Sequence, residues 1–484
     1  MRSGCTVLDW AASGAMALTG MPEETPAISP APALAMLGQV TAEFARVTRE
    51  SGRQVSADPA ELITGRAALA GLTRGGRVSA GGSSFLLPAA DGWCAVTLSR
   101  PDDWAAAPAI AGALALNRAD MDWACLAEAG PEETVTRARA RTVLAAAALS
   151  VPAQDFAAAA QLAGVPAAAL PAARSSKMVD RQPQRGVAGG PPSFACSRGS
   201  PRPAAAEAPL TGLAGWPPWR TARIAAPLAS ARLAGAVVAD LSSMWAGPLC
   251  ARLLGLAGAE VIKVESPARP DGARFGNREF YDWLHAGHRS LCVDFSTREG
   301  RAALAALLEA ADVVIEASRP RALEALGLAP GTLPHRPGQV WLSITGYGRA
   351  APERVAFGDD AAVAGGLVGW AEGGSSQAPV FCADAIADPL AGACGALAVA
   401  RSRAAGGGEL IDLSMRDAAA AFASPGHAPH EVLASGSVRC PVVRREQAVL
   451  PPRRPVTLAA GRAAELGADT SAVLGWLARR PATC

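Results

Sequence analysis

The sequence predicts an α/β protein: a Rossmann-like parallel sheet with helices on both faces, accompanied by a degenerate, partial N-terminal module. Between residue 229 and about residue 421, short apolar runs typical of buried strands alternate with segments of helical spacing. A strand–helix–strand rhythm of this kind favours a parallel sheet covered by helices. Half of the residues are hydrophobic but only 5% are aromatic, so we expect a large core of small side chains.

The central region carries the elements of this sheet in order. The first strand candidate, AGAVVADLS, places Asp240 at its carboxyl end, and the following MWAGPLCARLLGLAG spaces its leucines as a helix does. A second strand, EVIKVE, ends in Glu265. The turn between them lacks the GxGxxG pattern, which argues against a nicotinamide or flavin site. The remaining candidates are the helix REGRAALAALLEAA and the strands DVVIEAS and QVWLSITGYG.

Composition divides the chain into four regions. Residues 1–170 are interpreted as a partial module, because LDWAASGAMALTG is similar to GDDAAVAGGLVGW at 358–370, although the Ala and Gly bias of the chain could also produce this likeness. Residues 171–228, rich in Pro, Gly, Ser and Arg, are typical of a flexible linker. Residues 229–421 form the predicted sheet domain, and residues 422–484 form a tail with a closing helix, TSAVLGWLARR.

Charge, cysteine content and apolar runs argue against several classes of function. The net charge of +2 gives no large field, so no nucleic-acid partner is expected. Ten cysteines without CxxC spacing fit the free thiols of a cytoplasmic protein. Charges or prolines interrupt the apolar runs before about 18 residues, so no membrane span is expected. His285 and His288 are three residues apart, but no ligand cluster accompanies them, so no metal site is predicted.

Two aspartates, Asp384 and Asp388, lie in the otherwise apolar stretch PVFCADAIADPLAGACGALAVA. A buried carboxylate is costly unless it is paired or hydrogen-bonded, so the stretch needs a reason to keep them. Asp388 precedes Pro389, an arrangement that suits the N-cap of a helix. Spacing alone leaves this capping role and a functional role both open.

Six blocks of the central region occur in a fixed order between residues 237 and 415. They read VVADLSSMWAGPLCARLLGLAGAEVIKVESP, HAGHRSLCVDFSTREGR, ADVVIEASRPRALEALGL, WLSITGYGR, FGDDAAVAGG and IADPLAGACGALAVARSRAAGGGELIDLSM. In this order and spacing they resemble the class III CoA-transferase family (CaiB/BaiF type), which includes carnitine and formyl-CoA transferases and 2-methylacyl-CoA racemases. The resemblance implies a transferase that moves CoA from an acyl-CoA to a carboxylic acid.

The resemblance places the family's catalytic aspartate on Asp388. It implies attack of this carboxylate on the thioester, an acyl–aspartyl anhydride and then an aspartyl–CoA thioester, with no cofactor other than CoA as a substrate. It also suggests that CoA contacts the turn of Trp245, Ala246, Gly247 and Pro248, the strand end of Lys263 and Glu265, and the side chains of Arg289 and Arg319. For Trp245 core packing, and for the two arginines surface ion pairs, remain as alternatives. A homodimer is implied as possible.

Several departures from the family keep other functions open. The blocks have Ala286 and Ala317 where the family has asparagines, and too few residues follow Met415 for its second, small domain. Gly81 and Gly82 resemble that domain's glycine loop, with an ordinary hairpin turn as the alternative. The second hypothesis is therefore a catalytically impaired CoA-binding protein or a partner-dependent subunit. A racemase is disfavoured because an aspartate, Asp359, replaces the racemase histidine.

Overall fold

The computed structural model describes residues 5–27, 32–51, 53–114, 133–172, 215–370, 378–423, 430–433, 435–456 and 461–480. Over these residues the chain is a mixed α/β protein whose seven-stranded, mostly parallel sheet is flanked by helices, which confirms the predicted fold class. The N-terminal region contains α1 (Thr6–Ser13), α2 (Pro32–Glu50), α3 (Pro59–Ala70), β1 (Ser84–Ala89), β2 (Gly92–Thr97), α4 (Pro101–Ala105), α5 (Ala107–Ala113), α6 (Glu133–Ser150), α7 (Ala153–Leu162) and β3 (Ala167–Ala169).

The main sheet lies in the second half of the chain. Its strands are β4 (Trp219–Arg223), β5 (Val237–Asp240), β6 (Glu260–Glu265), β7 (Arg289–Cys292), β8 (Val313–Glu316), β9 (Val340–Thr345) and β12 (Glu409–Ser414), in the order β4-β12-β9-β8-β5-β6-β7. All pair in parallel except β4, which runs antiparallel to β12. Strands β5, β8 and β9 are buried along their whole length, which explains their continuous apolar runs.

Helices cover both faces of this sheet and complete the fold. They are α8 (Ala246–Leu256), α9 (Arg278–His285), α10 (Arg298–Ala310), α11 (Pro320–Ala325), α12 (Gly358–Ala364), α13 (Ala387–Ala404), α14 (Met415–Ala423) and α15 (Thr470–Ala478), with the short strands β10 (Val368–Trp370), β11 (Pro379–Phe381), β13 (Glu431–Val432), β14 (Ser437–Cys440) and β15 (Arg445–Ala448). The strands and helices expected between 237 and 345 are confirmed, as is the closing helix.

Small residues let α8 and α13 approach closely. A side chain on Gly392 would collide with the carbonyl of Ala246 and with Leu249, and a methyl group on Gly395 would already be in van der Waals contact with Cys250. This contact brings the amino-terminal ends of both helices to the same place. The apolar stretch around Asp388 is therefore part of a close helix–helix interface in which position 392 admits only glycine.

The N-terminal region packs directly against the sheet domain. Apolar side chains of α1, α2 and α3 belong to the same buried cluster as those of α8, α13 and α14. Arg401 of α13 also contacts Glu43 of α2 at 3.2 Å. Side chains of the N-terminal region therefore lie within reach of the sheet domain.

The boundary predicted for the linker at residue 228 is wrong. Residues 219–223 form β4 and pair with β12 from Glu409 to Leu413, so the sheet begins before the predicted domain does. Backbone pairing, which composition does not reveal, decides this boundary. Most of the predicted linker, residues 173–214, lies outside the described residues.

Candidate active site

The sheet changes direction between β5 and β8. From β5 the chain proceeds through β6 and β7 toward one edge, and from β8 it proceeds through β9 and β12 toward the other. In open α/β sheets the crevice at such a point, beyond the carboxyl ends of the strands, is where ligands bind. The predicted turn of Trp245–Pro248 follows β5, and Arg319 follows β8, so both lie on this side of the sheet.

Asp388 is the second residue of α13. The helix begins at Ala387, Ile386 is its N-cap residue, and no side chain caps it, so the alternative that Asp388 is the N-cap is wrong. The side chain is half-buried. Its carboxyl accepts a hydrogen bond from the backbone N–H of Ala246, the first residue of α8. Two helix amino termini, which carry partial positive charge, therefore meet at one carboxylate.

The surroundings of Asp388 hold its proton more tightly than usual. Burial raises the pKa of Asp388 to about 7, and the nearby negative charges of Asp359 and Asp384 act in the same direction. The guanidinium of Arg66 and the N–H of Ala246 oppose this shift. At neutral pH the carboxyl thus exists in both protonation states, and its ionised form is a more basic nucleophile than an ordinary aspartate.

Arg66, on α3 of the N-terminal region, is the site residue that sequence reasoning missed. Its Nη1 lies 2.6 Å from Oδ1 of Asp384, which is fully buried, while 29% of the Arg66 side chain is exposed. The guanidinium lies over the rings of Trp245 and Phe280, 5.6 and 5.8 Å from their centroids. A lone arginine in the apolar helix PAELITGRAALA is the same kind of signal as Asp384 and Asp388 in their apolar stretch and could have drawn attention to it.

The glycine loop lies beside this ion pair. A Cβ on Gly81 would be 3.5 Å from Nη2 of Arg66 and 3.9 Å from Oδ1 of Asp384. Gly82 has a φ of +80°, a conformation that favours glycine. The two glycines lie in the tight turn that lets Val78 pair antiparallel with Phe85, so their backbone is that of a hairpin turn, and this turn lies next to Asp384.

Two further carboxyls tie the β1–β2 hairpin to the site. Asp359 accepts hydrogen bonds from the hydroxyl of Ser84 and from the N–H of Ala385, both at 3.0 Å. Asp360 accepts from Thr97 at 3.0 Å and from the N–H of the helix-preceding residue at 2.8 Å. Burial raises the pKa of Asp359 to about 6 and that of Asp360 to about 7. Both oxygens of Asp359 are thus engaged by the protein.

Lys263 and Glu265 lie in a sealed charge network, which we define as Lys263, Asp240, Asp271, Glu265 and Arg274. The Lys263 ammonium lies 2.9 Å from Oδ2 of Asp271 and 4.0 Å from Oδ2 of Asp240. Arg274 holds the Glu265 carboxylate through two nitrogens. Only 2% of the Lys263 side chain is exposed. In these positions Lys263 and Glu265, the two predicted CoA contacts, stabilise the loop after β6 from the interior of the protein.

The other predicted contacts differ in accessibility. Trp245 is buried and packs edge-to-face on Phe280, with ring centroids 5.6 Å apart, so core packing describes it in this structure. Arg319 is half-buried; its burial and the nearby positive charges of Arg321 and Arg100 lower its pKa. Arg289 is half-buried at the start of β7, the outermost strand, two strands away from β5.

The histidines and cysteines add no metal or redox centre in the described part of the chain. His285 and His288 are deeply surrounded by protein, and burial lowers the pKa of His285 well below its usual value and that of His288 to about 3, so both are neutral. Among the residues described, no group of three potential ligands could hold a metal ion. The seven cysteines within those ranges are free thiols. No described helix is long and apolar enough to cross a membrane.

A cavity of about 370 Å³ lies apart from these carboxyls. It is lined mainly by apolar side chains of the hairpin and α6, among them Phe85, Leu98 and Leu144. Successive residues of a strand face opposite sides, so Phe85 points into this cavity while Ser84 faces Asp359. The hairpin therefore separates the cavity from the site.

Comparison with known proteins finds similarity over the second half of the chain. The model of CoA-transferase family III matches residues 233–471. A succinyl-CoA–D-citramalate CoA-transferase of Chloroflexus aurantiacus is 30% identical over 191 residues, covering 37% of this chain and 48% of that protein. The alpha subunit of a succinyl-CoA–L-malate CoA-transferase of the same organism is 33% identical, covering 38% of this chain and 47% of the relative.

Solved structures are also similar over part of the chain. A CAIB/BAIF family protein from Brucella suis has 30% sequence identity and a TM-score of 0.36, covering 40% of this chain and 55% of that one. The chain spans about half the length of the curated relatives it matches. Over residues 233–471, this chain belongs to CoA-transferase family III.

Proposed function

We propose that this chain is a class III CoA-transferase that moves CoA from an acyl-CoA to a carboxylic acid, with Asp388 as the nucleophile. The observation that carries the proposal is the setting of Asp388: a half-buried carboxylate at the amino termini of two helices, held by the N–H of Ala246. Basicity and access together suit a carboxylate nucleophile. Family membership supplies the reaction class.

The proposed reaction consists of two related exchanges. The Asp388 carboxylate attacks the thioester carbonyl, a C–O bond forms, the C–S bond breaks, and CoA leaves as the thiolate. The thiolate then attacks the aspartyl carbonyl of the anhydride, which releases the donor acid as a carboxylate and leaves an aspartyl–CoA thioester. An acceptor carboxylate reverses these two steps and departs as the new acyl-CoA. Backbone N–H groups at the start of α8, beginning with Ala246, are suited to stabilise the oxyanions.

CoA is proposed to lie along the carboxyl side of β5 and β8. The turn at Trp245–Pro248 borders Asp388, and Arg319 with its neighbours Arg321 and Arg100 offers planar, bidentate donors for phosphate groups. Arg289 is proposed as a further contact. Lys263 and Glu265 would act indirectly, because their network fixes the loop below the turn.

The names of the relatives indicate which substrates to test first. They use succinyl-CoA as donor and D-citramalate or L-malate as acceptor. Acids of this hydroxy-dicarboxylate kind, with succinyl-CoA, form the starting panel. The acyl group and the acceptor of this chain remain to be identified by that panel.

A second candidate is a catalytically impaired CoA-binding protein or a subunit that requires a partner. The chain spans about half of its relatives, and one of them is named as an alpha subunit. A homodimer would be one way to complete the site. Binding of CoA by calorimetry, together with no exchange for any acid in the panel, would favour this candidate.

The test is Asp388→Asn in a CoA-exchange assay with hydroxylamine trapping. We expect exchange to fall by at least about 10³-fold, because the covalent route is removed, and mass spectrometry to find the hydroxamate on Asp388 only in the unsubstituted chain. Asp360→Asn, at a buried carboxyl with a similarly raised pKa, is the matched control and should keep most of the exchange. Exchange by Asp388→Asn at the unsubstituted rate would reject the mechanism.

A further inference from the structure

The charges around the candidate nucleophile do not balance. We call Asp359, Asp384 and Asp388 the acidic cluster. The positive charge of Arg66 acts on all three of these carboxyls. Oδ2 of the fully buried Asp384 has no hydrogen-bond partner among the described residues. One guanidinium thus faces more carboxylate charge than it can neutralise.

The Arg66 guanidinium is held in place but only partly used. Nη1 donates to Asp384, and the rings of Trp245 and Phe280 fix the position of the planar group. This contact is the single hydrogen bond of its five N–H groups within the described residues. The side chain is 29% exposed, and the neighbouring residue of the loop is Gly81, whose missing side chain leaves the Nη2 side uncovered. The guanidinium of Arg66 therefore keeps N–H donors available beside Asp388.

The proposed reaction brings a further negative charge to this place. Both the departing donor acid and the incoming acceptor acid are carboxylates, and each must come within bonding distance of the carbonyl carried by Asp388. Like charges at such distances repel, and in partly buried surroundings this repulsion is weakly screened. An acid entering next to Asp359 and Asp384 needs a cation that can hold it in one orientation. Guanidinium groups bind carboxylates through paired N–H donors.

We propose that Arg66 binds the carboxylate of the acid that gives up or accepts CoA, and orients it toward the carbonyl on Asp388. This role rests on the proposed transferase function. In the transfer step one oxygen of the bound carboxylate forms a bond to the aspartyl carbonyl carbon. The C–S bond breaks, and CoA leaves with the electron pair as thiolate. The N-terminal region thereby supplies a substrate-binding group to a nucleophile of the sheet domain.

The first experiment separates acid binding from structural support by changing the acceptor. Arg66→Gln and Arg66→Lys are assayed with succinyl-CoA and either L-malate or hydroxylamine as the acceptor. Hydroxylamine has no carboxylate, and it can cleave the acyl–aspartyl intermediate without an acid. We expect Arg66→Gln to raise the KM for L-malate about tenfold or more, the loss typical of a charged hydrogen bond, while hydroxylamine-dependent CoA release stays within about threefold. The KM of Arg66→Lys for L-malate should lie between that of the unsubstituted chain and that of Arg66→Gln.

The control is Arg336→Gln, on the amino side of the sheet, away from the carboxyl ends of the strands. Arg336 is also partly exposed and pairs with a carboxylate, Asp312, at 2.5 Å, but it lies before the amino end of β9. Arg336→Gln should leave both the L-malate reaction and the hydroxylamine reaction unchanged. If Arg66→Gln lowers the acid and hydroxylamine reactions equally, or lowers kcat with no change in the KM for L-malate, Arg66 is only a structural partner of Asp384 and the proposal is wrong.

A second measurement uses only the unsubstituted chain, so a folding defect of a variant cannot affect it. The unsubstituted chain is treated with phenylglyoxal, with and without L-malate, and the modification of Arg66 is followed by mass spectrometry. Protection of Arg66 but not of Arg336 supports the proposal, and equal modification in both conditions rejects it. The proposed function fails separately, if the unsubstituted chain exchanges CoA with none of the acids or if Asp388→Asn retains exchange.

Discussion

Two groups of buried charges lie on the carboxyl side of the same sheet, and they are built differently. In the sealed network, Lys263 faces Asp240 and Asp271, and the two acids outweigh the cost of burial so that the pKa of Lys263 is raised. The pKa of Asp271 is lowered, because Lys263 and backbone N–H groups outweigh burial, whereas burial raises the pKa of Asp240 despite the opposing charge of Lys263. In the acidic cluster burial prevails, and the pKa values of Asp359 and Asp388 are raised to about 6 and 7.

The difference shows what each arrangement can do. A network in which most charges have close, well-directed partners and no access to solvent holds a loop in place and offers little to a ligand. In the acidic cluster, carboxyls with raised pKa values can exchange protons near neutral pH, and the partly exposed Arg66 can bind a ligand. The family resemblance suggested Lys263 and Glu265 as CoA contacts, whereas the structure places open donors on Arg66.

The largest expected effect is on the sealed network. Lys263→Met removes the cation between Asp240 and Asp271 and leaves buried carboxylates without compensation. We expect the free energy of unfolding to fall by about 3–5 kcal/mol, measured by urea denaturation at pH 7. Arg321→Ala, which breaks an exposed ion pair with Glu353, is the control and should cost less than about 1 kcal/mol. A loss below 1 kcal/mol for Lys263→Met would show that the network is not a structural unit.

The next effect concerns the precise placement of the nucleophile. A methyl group on Gly358 would collide with Oδ2 of Asp388 and with the carbonyl of Ala385. We expect Gly358→Ala to lower the CoA-exchange rate about 10²-fold through displacement of the carboxyl, with the chain still folded. Gly92→Ala, where a methyl group would meet nothing within 4 Å, is the matched control and should keep its rate. Equal rates for the two variants would mean that the position of Asp388 is not critical.

The smallest effect is a pH dependence of stability. The pKa of Asp360 in the folded chain, about 7, lies above the usual value of about 3.9, so the folded state keeps a proton that the unfolded state loses. The stability from this proton is present below pH 4 and is lost as the pH rises through about 7. Asp360→Asn cannot ionise there, so we expect its stability relative to the unsubstituted chain to improve by roughly 2–3 kcal/mol between pH 5 and pH 8.

Urea denaturation at both pH values measures this difference. Asp102→Asn, at an exposed carboxyl in the first turn of α4, serves as the control and should show the same difference at pH 5 and pH 8. A pH-independent difference for Asp360→Asn as well would indicate that Asp360 ionises normally in the folded chain.

Much of the sheet domain could be predicted from local pattern. Buried parallel strands need continuous apolar runs, and VVAD, VVIE and VWLSIT have them, so their positions were readable. β4 could not be predicted, because WRTAR is polar and becomes the edge strand of the sheet only by pairing with β12. The capping alternative for Asp388 was wrong because the helix begins at Ala387, two residues before Pro389.

The sequence by itself determined the parallel α/β fold, the family of residues 233–471 and the aspartate on which a transferase mechanism would depend, because these are carried by short runs of adjacent residues. Only the tertiary structure decided which charges act together. Arg66 and Asp384 are 318 positions apart in the chain and 2.6 Å apart in space. Burial and charge then set how firmly each acid holds its proton, and both depend on neighbours that no local pattern names.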